Sequence, residues 1–283
     1  MVIGLTVVSL GTSAPELVVT VQAALGGYPE IAVANVVGSN IANVLLVLAI
    51  PALIYPLGFG QASARSDSMF MLLVSALFFW LCFDGQLSRA DGFIMLAGLI
   101  LFLALQARAE FDPDRQPVAP PMLPVVLGLP TRRRSMMLLI VVGAAMLPLG
   151  ASLLLDGAVG FGGIIGVSNQ VMGLTVIALS TSVPELATTL VAAFKKESDL
   201  AVGNIIGSNI LNIVGIMGVA SMVSLRELTV PARFTTLDLP LMVGGALIVT
   251  VLAFRRGSIG KRLGGVMLGV YVLYVYLLYA TVG

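Results

Sequence analysis

Thr12, Ser13 and Glu16 lie three and four residues apart, the spacing that places side chains on one face of a helix. Thr181, Ser182 and Glu185 repeat the pattern. Ser39 with Asn43, and Ser208 with Asn212, add two pairs four residues apart. All of these groups offer hard oxygen donors: carboxylates, amide carbonyls and hydroxyls. Oxygen-only ligation suits Ca²⁺ or Na⁺. The two negative charges of Glu16 and Glu185 balance one Ca²⁺ or a pair of Na⁺ ions, and a bound cation removes most of the cost of burying them.

The elements that carry these residues are apolar. Hydrophobic residues make up 58% of the 283 and charged residues only 10%, against roughly 25% charged in a soluble domain. Mean hydropathy is +1.06. The chain therefore reads as an all-α polytopic membrane protein, because in lipid every backbone group must be bonded internally. A net charge of +1 gives no reason to expect nucleic acid as a partner; the lipid bilayer is the expected one. One cysteine and no histidine exclude a disulfide framework and any His- or Cys-ligated metal cofactor. The start lacks the pattern of a secretory signal.

Nine apolar runs are long enough to be spans: 2–25, 31–56, 68–83, 92–107, 135–155, 170–194, 200–224, 237–254 and 263–281. Glycines at 157, 160, 162, 163 and 166 predict a break or a short extra helix after residue 155. The proline-rich stretch 108–134 predicts a linker between a half at 1–107 and a half at 135–283. Nine spans place twelve Lys and Arg on the side of Met1 and three, Arg89, Arg226 and Arg233, on the other. The rule that basic loops stay inside then makes the N-terminus cytoplasmic and the C-terminus external.

Sliding the chain by 169 residues aligns residues 4–49 with 173–218 without a gap, and 21 of 46 positions are identical. The polar matches include Thr12/Thr181, Ser13/Ser182, Glu16/Glu185, Thr20/Thr189, Asn35/Asn204, Ser39/Ser208, Asn40/Asn209 and Asn43/Asn212. The two copies enter the membrane from opposite sides, so the repeats are inverted, with a site expected at their interface near the midplane. Five spans per half are expected from such a duplication, whereas the count here is four plus five. A further span preceding residue 2 is the expected missing member.

Pro15 and Pro184 interrupt the helical ladder about one turn after carbonyls that become free to face an ion. Gly38-Ser39 and Gly207-Ser208 are expected to loosen the following helices. Asn35, Asn204, Asn40 and Asn209 read as groups that satisfy freed backbone or hold helices together. Asp67, Asp84, Asp91, Asp156 and Asp238 stand at span ends and read as interfacial charges. Trp80, Tyr271, Tyr274, Tyr276 and Tyr279 read as interface anchors or packing.

Gly11-Thr12-Ser13-Ala14-Pro15-Glu16, Gly38-Ser39-Asn40-Ile41-Ala42-Asn43, Ser180-Thr181-Ser182-Val183-Pro184-Glu185 and Gly207-Ser208-Asn209-Ile210-Leu211-Asn212 together resemble the cation/calcium exchangers, the family that includes the sodium/calcium exchangers. The match is closest to bacterial members without a large regulatory loop. The resemblance implies ten spans and alternating access of Na⁺ and Ca²⁺ to a central group of sites. It implies Glu16 and Glu185 as the main Ca²⁺ ligands. Thr12, Ser13, Ser39, Thr181, Ser182 and Ser208 would complete the Na⁺ sites, the backbone carbonyls of Ser9 and Ala178 would add to them, and Asn43 and Asn212 would occupy the remaining central positions. Two departures stand out: Ser180 replaces the glycine that usually opens the second motif, and Asn212 stands where some prokaryotic members have aspartate.

The function expected is Ca²⁺/Na⁺ antiport in the bacterial inner membrane, without a cofactor. H⁺-coupled exchange of Ca²⁺ or another cation on the same scaffold is the alternative, as is a truncated form that binds cations without transporting them. An intramembrane enzyme is not expected: without histidine there is no His-ligated zinc hydrolase and no Ser-His dyad, and no aspartates pair at mid-span.

Overall fold

The computed structural model describes residues 8–60, 62–110 and 133–280. Almost all of the expected linker, 111–132, lies outside the described residues. Ten helical segments follow in order: α1 (Ala14–Leu25), α2 (Pro29–Ile54), α3 (Ala64–Asp84), α4 (Arg89–Glu110), α5 (Arg133–Ile165), α6 (Asn169–Thr181), α7 (Val183–Phe194), α8 (Ser198–Val223), α9 (Phe234–Phe254) and α10 (Lys261–Ala280). Among the described residues seven of these are long and apolar enough to cross a membrane, and α6 with α7 forms an eighth span bent by 46°. Residues 8–12 are helical and lead into α1, so the first expected span has the same two-part build.

Both two-part spans break at a serine. Ser13 and Ser182 share nearly the same backbone angles, φ −86°, ψ 6° and φ −84°, ψ 4°. Each precedes a helix with proline in its second position. A serine in that place ordinarily caps the helix by accepting from an N–H one turn on. Pro15 and Pro184 have no N–H to give, and neither serine makes a side-chain cap. The hydroxyls are left to bond elsewhere.

α2 and α8 are the inner pair, with 78% and 83% of their most apolar windows buried, while α5 is only 11% buried. Close approach between α2 and α6 depends on two glycines. A Cβ on Gly38 would sit 2.6 Å from the Leu174 carbonyl oxygen and 2.8 Å from the Ala178 Cβ; one on Gly173 would sit 2.6 Å from the Ala34 Cβ. Gly38 thus serves contact and lies within regular α-helix. The loosening expected after it comes about one turn later, as π-helical turns at Asn43–Val47 and, in the second repeat, Leu211–Met217.

The break expected after residue 155 is absent: α5 continues through Gly157, Gly160, Gly162 and Gly163 to Ile165. Each glycine costs a helix about 1 kcal/mol relative to alanine, less than an unbonded peptide group in lipid. Gly166, at φ +72°, ends the helix, and Val167 donates back to the Gly162 carbonyl at 2.8 Å, the six-to-one closure of a left-handed helix end.

Two short antiparallel ribbons join the repeats. β1 (Leu57–Gly58) pairs with β4 (Ser258–Ile259), and β2 (Gln86–Leu87) pairs with β3 (Leu228–Thr229). β1 and β2 cap opposite ends of α3. The pairing therefore gathers 57–58 with 258–259 on one face and 86–87 with 228–229 on the other, the alternation expected of inverted halves.

Candidate cation site

The site forms where the two breaks meet. Glu16 and Glu185, each in the first turn after its break, are both 0% exposed. They lie near enough to feel each other's charge. The uncapped serines cross between repeats: Ser13 Oγ donates to Glu185 Oε1 at 2.9 Å, and Ser182 Oγ donates to Glu16 Oε1 at 3.2 Å. Ser208 Oγ also donates to Glu185 Oε1, at 3.4 Å. Ser39 Oγ lies 3.5 Å from Thr181 Oγ1, a consequence of the α2–α6 contact at Gly38.

The π turns bring the asparagines in. Asn43 Nδ2 donates to Asn209 Oδ1 at 3.0 Å, and Asn212 Nδ2 donates to Asn40 Oδ1 at 3.1 Å. Asn40 and Asn209 also exchange side-chain amide bonds with each other's backbone carbonyls at 3.4 Å. This quartet fixes Asn43 and Asn212 through their nitrogens, which leaves their oxygens to face elsewhere.

Of the buried oxygens without a hydrogen-bond partner among the described residues, four meet at this centre: Glu16 Oε2, Glu185 Oε2, Asn43 Oδ1 and Asn212 Oδ1. Leaving one such acceptor unsatisfied costs about 1–3 kcal/mol. The four belong to two residue pairs related by the repeat, which is no scatter of local defects. Two carboxylate and two amide oxygens form a donor set that fits a hard cation. Among the described residues no three Asp, Glu, His or Cys side chains gather as a metal site, so the charge comes from the two glutamates.

The remaining expected residues surround this centre. Thr181 Oγ1 donates to Asn35 Oδ1 at 3.3 Å and to the Ala178 carbonyl at 3.2 Å. Thr12 Oγ1 donates to the Ser9 carbonyl, at 3.3 Å, and its hydroxyl also lies toward Glu185. Ser9 also reaches the second repeat, donating from Oγ to the Asn204 carbonyl and to Asn204 Oδ1, both at 3.2 Å. Its repeat mate Ala178 has no hydroxyl, so the sequence comparison that pairs these positions gives no signal for the bond. Asn35 Nδ2 ties Thr20 Oγ1 at 2.9 Å and the Glu16 carbonyl at 3.5 Å, supporting backbone as expected. Its mate Asn204 has no partner for Nδ2.

One expectation about a residue outside the centre is overturned. Asp238 is fully buried and accepts from Tyr274 Oη at 2.8 Å, so it is no interfacial charge. Tyr271 and Tyr274 are buried on α10, whereas Tyr276 and Trp80 are exposed. Asp238 lies outside the ungapped stretch of the repeat, and nothing in its residue type sets it apart from the other aspartates near span ends.

The chain was compared with known proteins. It is 34% identical over 282 residues to the inner membrane protein YrbG of Escherichia coli, covering 99% of this chain and 86% of YrbG. It is 29% identical over 314 residues to the sodium/calcium exchanger MaX1 of Methanosarcina acetivorans, covering 98% and 88%. A structure of the sodium-calcium exchanger NCX_Mj soaked with Na⁺ and Sr²⁺ superposes with a TM-score of 0.72 at 28% identity, over 97% of this chain and 86% of that one. The family described as sodium/calcium exchanger protein matches residues 1–108 and 135–280. With its inverted repeats, crossed serines and paired buried glutamates, the chain belongs to the sodium/calcium exchanger protein family.

Proposed function

We propose that the protein exchanges Ca²⁺ for Na⁺ by alternating access at the centre between its repeats. The observation that carries this reading is the set of four unpartnered buried oxygens on Glu16, Glu185, Asn43 and Asn212. Glu16 and Glu185 supply the charge for Ca²⁺. Thr12, Ser13, Ser39, Thr181, Ser182 and Ser208, with the carbonyls of Ser9 and Ala178, supply neutral oxygens for Na⁺. Two Na⁺ carry the same charge as one Ca²⁺, so either cargo neutralises the buried pair, and competition between them couples the fluxes. Neutral hydroxyls around the carboxylates favour Na⁺ over H⁺ as the coupling ion, since a proton needs no such cage.

The protein resides in this reading in the bacterial inner membrane. The face holding β1, β4, Lys195, Lys196, Arg255 and Arg256 is cytoplasmic, by the excess of basic residues there.

Reconstitution in vesicles separates the readings. Radiolabelled Ca²⁺ is expected to accumulate against an imposed Na⁺ gradient and not against a pH gradient. Uptake driven by the pH gradient alone would transfer the reading to H⁺ coupling, and Ca²⁺ binding without flux under either gradient would leave a cation-binding protein.

A further inference from the structure

The helical stretch before each break is tied to the inner helix of the other repeat, but by different residues. In the second half Thr181 makes the tie: its Oγ1 donates to Asn35 Oδ1 on α2 at 3.3 Å and lies 3.5 Å from Ser39 Oγ. In the first half Ser9 makes it, donating from Oγ to the carbonyl and Oδ1 of Asn204 on α8, both at 3.2 Å. Asn35 and Asn204 are repeat mates, and so are Thr181 and Thr12. The first half therefore reaches its asparagine from one turn earlier. Thr12 is left without that duty. Its hydroxyl bonds within its own turn, to the Ser9 carbonyl at 3.3 Å, and lies toward Glu185.

The second half cannot copy this arrangement. Ala178, the mate of Ser9, has no hydroxyl and packs against the bare Gly38, where a Cβ would stand only 2.8 Å from its own. The Thr181 tie shows in turn that docking the stretch onto an inner helix needs no hydroxyl at this position. The Ser9 tie also carries a penalty. Asn35 Nδ2 donates to Thr20 Oγ1 at 2.9 Å. Asn204 Nδ2, on a residue 1% exposed, has no partner among the described residues, although Thr189, the mate of Thr20, is present. A buried donor left unsatisfied bears its whole desolvation penalty, so packing alone does not account for Ser9.

Ser9 stands on one flank of the cation centre. Ser208, one turn after Asn204 on α8, donates to Glu185 Oε1 at 3.4 Å, and Thr12 faces the same carboxyl. We propose that Ser9 is a positioning residue that sets the preference of the centre for Na⁺ over Ca²⁺. Its hydroxyl anchors residues 8–12 to α8, so the Ser9 carbonyl and Thr12 Oγ1 stand beside Glu185 while Thr12 stays clear of Asn204. These are neutral oxygens, assigned above to Na⁺, whereas Ca²⁺ draws on the charges of Glu16 and Glu185, which Ser9 does not touch. The role of Ser9 rests on that reading of the site.

The test uses the full chain in lipid nanodiscs, with radiolabelled Ca²⁺ binding measured first without Na⁺ and then against rising Na⁺. Ser9→Ala leaves Asn204 Oδ1 open to Thr12, as Asn35 Oδ1 is to Thr181. The Na⁺ concentration that displaces half of the bound Ca²⁺ should rise about tenfold beyond any change in Ca²⁺ affinity, the effect of one hydrogen bond. Equal loss of affinity for both ions would make Ser9 a packing residue and overturn the proposal. Thr12→Val removes the hydroxyl that Ser9 keeps clear, so Ser9→Ala added to it should lower Na⁺ affinity much less than Ser9→Ala alone; losses that simply add would also overturn it. If Ser9→Ala does not fold, Ser9→Cys, a weaker donor, decides by the same comparison of the two ions. Wild-type Ca²⁺ binding that Na⁺ does not displace would refute the shared site itself. Displacement of equal strength in wild type and Ser9→Ala would overturn the role of Ser9 and leave the site standing.

Discussion

Ser13 in the first repeat donates to Glu185 in the second, and Ser182 in the second donates to Glu16 in the first. Each carboxylate is thus oriented by the other half of the chain. The loss of Ser13→Ala removes a hydrogen bond to a carboxylate and should weaken Ca²⁺ affinity about tenfold. Ser182→Ala should cost a similar factor, because its geometry is the mirror of the first. Calorimetric titration of the two variants checks this; an effect at one serine only would mean that one half does the binding.

Glu16→Gln and Glu185→Gln each leave one negative charge to meet a divalent ion. Ca²⁺ binding should be lost in either variant under conditions where the wild type saturates. Equilibrium binding with radiolabelled Ca²⁺ decides it, and unchanged affinity in either variant would remove that residue from the site.

Gly38→Ala drives a Cβ into the Leu174 carbonyl oxygen, a backbone atom only 2.6 Å away. Overpacking of this kind costs about 1–3 kcal/mol, so thermal unfolding in detergent should fall by several degrees, as it should for Gly173→Ala. Gly143→Ala on α5 meets open space and should hold or slightly raise the melting temperature, since alanine is the better helix former. Equal melting of all three would refute the α2–α6 contact.

Lys196 occupies a left-handed backbone position, φ 61°, at the end of α7, and its repeat mate Gly27 has φ 84° at the end of α1. Arg256 stands likewise after α9, at φ 50°. A side chain there costs about 1 kcal/mol relative to glycine. Lys196→Gly and Arg256→Gly should each stabilise the fold by about that amount, read as a rise in melting temperature.

Single cysteines at Gln86 and Ser258 test the alternation directly, and the native Cys82 is buried and should stay silent. A membrane-impermeant thiol reagent should reach Gln86→Cys and Ser258→Cys from opposite sides of sealed vesicles. Labelling of both from one side would break the inverted arrangement of the halves.

The repeat made much of this centre legible in advance. Glu16, Glu185 and the serines beside them are polar residues in apolar runs, and each recurs 169 residues later, so both cost and duplication marked them. Asp238 and Tyr274 carry the same cost but lie outside the ungapped stretch of the repeat, 4–49 with 173–218. Without duplication, a charge near a span end looks like any other. The glycines of α5 misled for a different reason. Helix propensity measured in water counts against them, whereas lipid leaves the backbone no alternative partner. The π turns at Asn43 and Leu211 left no compositional trace, because they follow from how α2 and α8 meet their neighbours.

The crossed serines also bear on how such a chain could change over generations. A Ser-x-Pro-Glu segment folded alone holds a hydroxyl with no acceptor and a carboxylate with no donor; only an antiparallel second copy supplies both. A substitution at Ser13 is therefore felt at a glutamate encoded in the opposite half. Ser13, Glu16, Ser182 and Glu185, which form the crossed pairs, are shared by the halves, while exposed positions such as Leu25 and its mate Phe194 have diverged.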